Sequence, residues 1–150
     1  MKNIGEIMSA VYAALNGIQT VSGKVYPIVA TEGTEFPFIV FERQSVSPTY
    51  TKDGVCSNDV QVTIKVVTSG YFAGLQIAES VYNAMWSIDS DNVTYADVQL
   101  LNSNEEYVND AYVQTLNYTF KVFYSETEQS NGDTSTGTDP TPDTNENENE

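Results

Sequence analysis

Apolar residues first return along the chain every three to four positions. Ile4, Ile7, Met8, Val11, Tyr12 and Leu15 make one stripe, which predicts an amphipathic helix over about Asn3 to Asn16 with Gly17 as its C-terminal cap. The stretch VSGKVYP then reads as a short extended piece, because Pro27 discourages helix at Tyr26. After the loop ATEGTEF the period changes. Phe38, Ile39, Val40 and Phe41 are apolar without alternation, which predicts a central strand over Phe38 to Val46 covered on both faces. Val60, Val62, Ile64 and Val66 alternate with Gln61, Thr63 and Lys65, the signature of a half-buried strand. Between them lies a polar tongue, Ser47 to Asn58, with Lys52-Asp53-Gly54 as its turn, so the two strands are expected to form a long hairpin.

Helical spacing returns over Tyr71 to Ile88, where Phe72, Leu75, Ala78, Val81, Tyr82 and Met85 define the expected apolar face and Ser69 the N-cap. Two strands follow, Val93 to Leu101 and Ala111 to Tyr124, joined by NSNEEYVND read as a polar turn. In the second of these Tyr112, Leu116, Tyr118, Phe120, Val122 and Tyr124 share a face that only Gln114 interrupts. The order α-β-β-α-β-β predicts an α+β domain: an antiparallel four-stranded sheet with two helices packed on one face.

The pattern stops near Ser125. Residues 126–150 contain none of Ala, Val, Ile, Leu, Met, Phe, Trp, Tyr or Cys, and ordering them would cost on the order of 25–50 kcal/mol with no apolar burial to offset it. A disordered acidic tail over 126–150, after one domain over 1–125, is therefore expected. The tail holds eight of the chain's 21 acids and none of its six bases, which leaves 13 acids against six bases, a net charge of -7, in residues 1–125. It is expected either to solubilise the protein or to reach a basic surface on a neighbour; deleting it separates the two.

The whole chain carries a net charge of -15, which argues against sequence-reading nucleic-acid binding, since phosphate neutralisation needs clustered Lys and Arg. There is no histidine, so histidine-based catalysis and histidine-ligated zinc are excluded. Cys56 is the single cysteine and cannot close an internal disulfide. Glu6 interrupts the first apolar run, and no run reaches the roughly 20 residues a bilayer span needs, so a soluble protein made in the cytoplasm is expected, with no membrane partner. Asp89-Ser90-Asp91 resembles the start of a calcium loop, but Thr94 and Leu100 stand where glycine and a carboxylate are required. Glu105, Glu106 and Asp110 read as a solvated acidic cluster on a turn. Nothing in the spacing predicts a catalytic site, a cofactor or a metal. Arg43, the sole arginine, stands on an apolar strand and is a candidate for an ion pair with a neighbouring chain or with Glu42's side of the sheet.

The sequence VYPIVATEGTEFPFIVFERQSVSPTY, the valine-rich DVQVTIKVVT, the helix YFAGLQIAESVYNAM and the last strand YVQTLNYTFKVFY, in that order, resemble the tail completion, or tail terminator, proteins of long-tailed bacteriophages. The resemblance covers residues 1 to 125; the acidic tail departs from it. It implies a structural virion protein without catalytic residues, a homo-oligomeric ring (usually a hexamer) at the head-proximal end of the tail. Its implied partners are the tail tube protein and the head connector, with DNA passing through the channel without specific binding. Within that picture the hairpin supplies a stiff reach, and Arg43, Tyr50, Lys52 and Asp53 are the expected interface residues. An acid-lined channel would repel phosphates and keep DNA mobile. The competing expectation is a monomeric module that binds a small ligand or glycan in a pocket lined by Tyr95, Tyr107 and Tyr112.

Overall fold

The computed structural model describes residues 4–91 and 97–123, with the side chains of 89–91 left aside. The element order is α1 (Ile4–Asn16), a single 3-10 turn (Gln19–Val21), β1 (Val25–Pro27), β2 (Phe38–Thr51), β3 (Gly54–Thr68), α2 (Tyr71–Asp91), β4 (Asp97–Val108) and β5 (Ala111–Phe123). The strands form one five-stranded sheet in the order β1-β2-β3-β5-β4.

This overturns the expected antiparallel four-stranded sheet. The sheet is mixed, and the element order is α-β-β-β-α-β-β. The additional strand is the VYP segment, which lies parallel to β2 with Val25 beside Ile39 and Pro27 beside Phe41. At its two ends, Ile39 N–H donates to the Lys24 carbonyl at 2.9 Å, and Ile28 N–H donates to the Phe41 carbonyl at 2.8 Å. Pro27 lacks an N–H and closes an edge strand, where that loss is tolerated. Phe36-Pro37, which leads into β2, is a cis peptide.

The alternation seen in the sequence sets the core. Val66, Ile64, Val62 and Val60 of β3 stand beside Gln114, Leu116, Tyr118 and Phe120 of β5, and Ile39 and Phe41 of β2 complete the same face against Val66 and Ile64. Ile7, Val11 and Leu15 of α1 and Ile77, Val81, Met85 and Ile88 of α2 close over that face in a single apolar cluster. At roughly 1.5–3 kcal/mol for each large apolar side chain removed from water, this face dominates the stability of the fold. α1 covers the β1–β2 side, and α2 covers β3, β5 and β4. The two-helices-on-one-face arrangement is therefore present, on a wider sheet.

Gly17 follows α1 but is absent from the left-handed region; the helix instead tightens through Gly17 N–H to Ala14 C=O and Ile18 N–H to Leu15 C=O bonds. α2 begins at Tyr71, directly after Gly70 and one residue later than a Ser69 cap requires. Its buried face is rotated from the expected one. Ile77, Val81, Met85 and Ile88 go inside, whereas Phe72, Tyr82 and Trp86 are exposed and Leu75 is barely covered. The helix has apolar residues on two sides, and periodicity alone does not choose between them.

NSNEEYVND is not a turn. Asn102 to Val108 belong to β4, paired with Ala111 to Asn117, and the reversal is confined to Asn109 and Asp110. Both take positive φ, 52° and 61°, as a two-residue hairpin turn matched to strand twist requires. β4 is an edge strand whose residues Gln99 to Val108 are all exposed, so no burial imposes alternation on them. The expected strand start at Val93, with Thr94, Tyr95 and Ala96 after it, lies outside the described residues, as do Tyr124, the side chains of the calcium-like Asp89-Ser90-Asp91 and the acidic tail.

Candidate functional site: a projecting arm and two unburied edges

The polar tongue is strand except at its two-residue turn. β2 and β3 remain paired up to Thr51 and Gly54, leaving only Lys52 and Asp53 at the reversal. Gly54 takes φ 116°, which a side-chain-bearing residue rarely adopts, and the Thr51 hydroxyl oxygen accepts from the Asp53 N–H at 3.2 Å. Two register shifts bend the arm: Gln44 is the extra residue on β2, and Cys56 the extra residue on β3. The β3–β5 pairing ends at Ser57 and Phe123, so the tip from Tyr50 to Val55 stands beyond the described part of β5. Polar residues here are compatible with strand because both faces of the tip meet water.

Of the expected interface residues, Tyr50, Lys52 and Asp53 meet at this tip and are exposed. Arg43 does not join them. It sits seven residues back along β2, roughly 20 Å at the rise of an extended strand. There it shares a groove with Ile4, Met8, Tyr12, Pro27 and Ile28, between α1 and the β1 edge, of about 720 Å³. It is exposed and makes no ion pair among the described residues. Ile28, on the rim, has φ 67° and is 72% exposed. A β-branched residue in the left-handed region is strained, and burial does not hold it there.

The expected acidic cluster is divided by the pleat. Glu105 lies on the helix side, where it accepts from the Tyr71 hydroxyl at 2.9 Å and from Gln114 Nε2 at 3.2 Å. That hydrogen bond to the carboxylate raises the Tyr71 pKa above its ordinary value. Glu106 lines a hollow on the opposite face with Phe38, Val40, Lys65 and Val113. Tyr107 and Tyr112 pack on each other with ring centroids 4.8 Å apart, and Tyr71 meets Tyr112 edge-on at 5.7 Å. These rings fill one another's space rather than face across a pocket.

On the face away from the helices, a polar chain crosses three strands: the Thr63 hydroxyl donates to Asn117 Oδ1 at 2.7 Å, and Asn117 Nδ2 donates to Asn102 Oδ1 at 2.8 Å. No group of three or more His, Cys, Asp or Glu side chains among the described residues is placed to hold a metal ion. No described helix is long and apolar enough to cross a membrane.

The site feature that the sequence pattern did not give is the flank of α2. Phe72, Leu75, Tyr82 and Trp86 follow one another at helical spacing and stay exposed, and Tyr82 and Trp86 border the Leu100 end of β4. The available signal was a surplus: α2 holds more apolar residues than one buried stripe needs.

Residues 6–124 match the model of the family described as Tail completion protein gp17. The chain belongs to that family. It is a structural protein of a bacteriophage-type virion tail. The tail completion fold is also similar to a chain in a solved structure titled "Virion of native gene transfer agent (GTA) particle", with a TM-score of 0.67 and 18% identity, covering 83% of this chain and 100% of that one. A search of curated proteins finds no match.

Proposed function

We propose that this tail completion protein assembles into a ring, a hexamer in the simplest case, on the head-proximal end of the tail tube. There it stops tube growth and offers the docking face for the head connector, with DNA passing through its channel unbound. The observation that carries the reading is the β2–β3 arm: in a chain of this family, a stiff two-stranded projection ends in an exposed Tyr50-Lys52-Asp53 tip beyond the described sheet. Such an arm reaches a neighbour without loosening the core. A ring whose one face satisfies the last tube subunits and whose other face differs leaves no template for another layer. The net charge of -7 over residues 1–125 keeps phosphates from adhering. The similar virion chain supports placement within an assembled particle.

The test is to add the protein to polymerising tail tube protein and measure tube lengths by electron microscopy, with native mass spectrometry of the protein alone and with tubes. Tubes capped at one end by a ring, and shortened in proportion to added protein, are expected. Unchanged tube growth with a monomeric protein refutes the reading. A Tyr50→Ser, Lys52→Ser double variant is expected to fold normally and to lose capping.

A further inference from the structure

We propose that the ring closes head to tail, with the α2–β4 edge of one copy seated on the α1–β1 edge of the next; this rests on the ring reading above. The sheet order places β1 and β4 at opposite ends. Each end presents apolar surface that the protomer does not bury. At one end Phe72, Leu75, Tyr82, Trp86 and Leu100 flank the outer edge of β4, beside which no described strand lies. At the other, Ile4, Met8, Tyr12, Pro27 and Ile28 line the α1–β1 groove. Exposed apolar patches of this kind mark association surfaces, and tyrosine, tryptophan and arginine are the residue types that anchor them.

Charge selects the partner and the pairing mode. Between Val66 and Phe120 the sequence has seven acids and no lysine or arginine, and this segment builds α2, β4 and most of β5. Residues 1–65 are closer to neutral, with five of the six bases against six acids, and they place Lys24 and Arg43 at the α1–β1 edge, Arg43 sharing its groove with Glu42. Joining two α2–β4 edges about a two-fold axis sets acids against acids, with only Lys121 of β5, cross-strand from Asp97, to relieve them. Joining the α2–β4 edge to the α1–β1 edge brings Glu79 and Asp97 toward Arg43, which has no ion pair within its own described chain. Like charges brought together across an interface oppose the first mode and favour the second. A contact between two different patches repeats around an axis, so it makes rings or filaments and not closed dimers.

Two variants at exposed positions separate the possibilities: Trp86→Asp damages the α2–β4 edge, and Ile28→Asp damages the α1–β1 edge. Circular dichroism melts confirm that each folds. Native mass spectrometry and sedimentation of the full chain are then expected to show each variant alone as a monomer, with association weakened at least about tenfold. An equimolar mixture is expected to form a one-to-one heterodimer and nothing larger, because each variant keeps the edge the other lacks. If the unmodified protein forms rings and both variants still do, these edges are the wrong surfaces and the ring reading stands. If single variants are monomeric and the mixture stays monomeric, the contact is not head to tail. An unmodified chain that is monomeric with and without tube protein overturns both.

Discussion

Replacing Gly74 by alanine sets two effects of similar size against each other. In the first turns of α2, glycine costs about 1 kcal/mol relative to alanine, so propensity alone predicts a gain. The structure predicts a loss. A Cβ at Gly74 would stand 2.9 Å from Thr68 Oγ1, 3.5 Å from Gln114 Cγ and 3.8 Å from Thr68 Cγ2. Thr68 is 1% exposed, is stiff because it is β-branched, and donates its hydroxyl to the Gly70 carbonyl at 2.8 Å. Making room forces that hydroxyl off its acceptor within a closed site, at about 1–3 kcal/mol. Gly74→Ala is therefore expected to destabilise the protein by about 1 kcal/mol net, lowering the melting temperature by roughly 3–6 °C. In a Thr68→Ala background the obstacle is gone, and the Gly70 carbonyl still accepts from the residue-74 N–H, now at 3.1 Å. There the same substitution should stabilise by up to about 1 kcal/mol. Urea unfolding of the four proteins at one protomer concentration gives the cycle, with a coupling of at least about 1 kcal/mol expected. A stabilising Gly74→Ala in the original background, or equal effects in both, refutes the close approach of α2 to the end of β3.

Tyr118 buries a hydroxyl that has no hydrogen-bond partner among the described residues, so Tyr118→Phe is expected to stabilise by about 1 kcal/mol at neutral pH, measured by chemical denaturation. Burial pushes its pKa well above the ordinary 10.0. The unfolded chain then releases a proton above about pH 10 that the folded chain retains, so stability is full below that pH and falls as pH rises past it; Tyr118→Phe should flatten this alkaline loss, and an unchanged slope assigns it elsewhere. Ile28→Asn should relieve left-handed strain by about 1–2 kcal/mol while keeping the N–H bond to Phe41, seen as a higher denaturation midpoint; a lower one means the isoleucine side chain matters more than its backbone. Deleting residues 126–150 is expected to leave ring formation and tube capping unchanged in the assays above, and loss of either makes that segment part of the joint.

The parts of the fold legible in the sequence are those where burial has one side. Ile7, Val11 and Leu15 in α1, the alternating valines of β3 and the Leu116-Tyr118-Phe120-Val122 face of β5 all carry their environment in their spacing. Where burial is absent, so is the signal. From Gln99 onward β4 is wet on both faces, and its part from Asn102 reads as a turn; β1 has only three residues and no room for a period; the arm pairs through its backbone, which side-chain patterns do not report. α2 misleads for the opposite reason, since a second apolar face at Phe72, Tyr82 and Trp86 competes with the one that faces the sheet. Among the expected interface residues, the tip positions Tyr50, Lys52 and Asp53 come together at the hairpin's end, while Arg43 belongs to a different surface because the strand between them is long.

The extension of β2 and β3 past the rest of the sheet has a consequence for how such a protein can vary. Side chains from Tyr50 to Asp53 are absent from the apolar cluster under the helices, so their identity is decoupled from whether the core forms. What that segment touches can be rewritten residue by residue, or grafted whole between relatives, as long as Gly54 and the paired backbone remain. A lineage could change the surface it mates with while keeping its interior fixed.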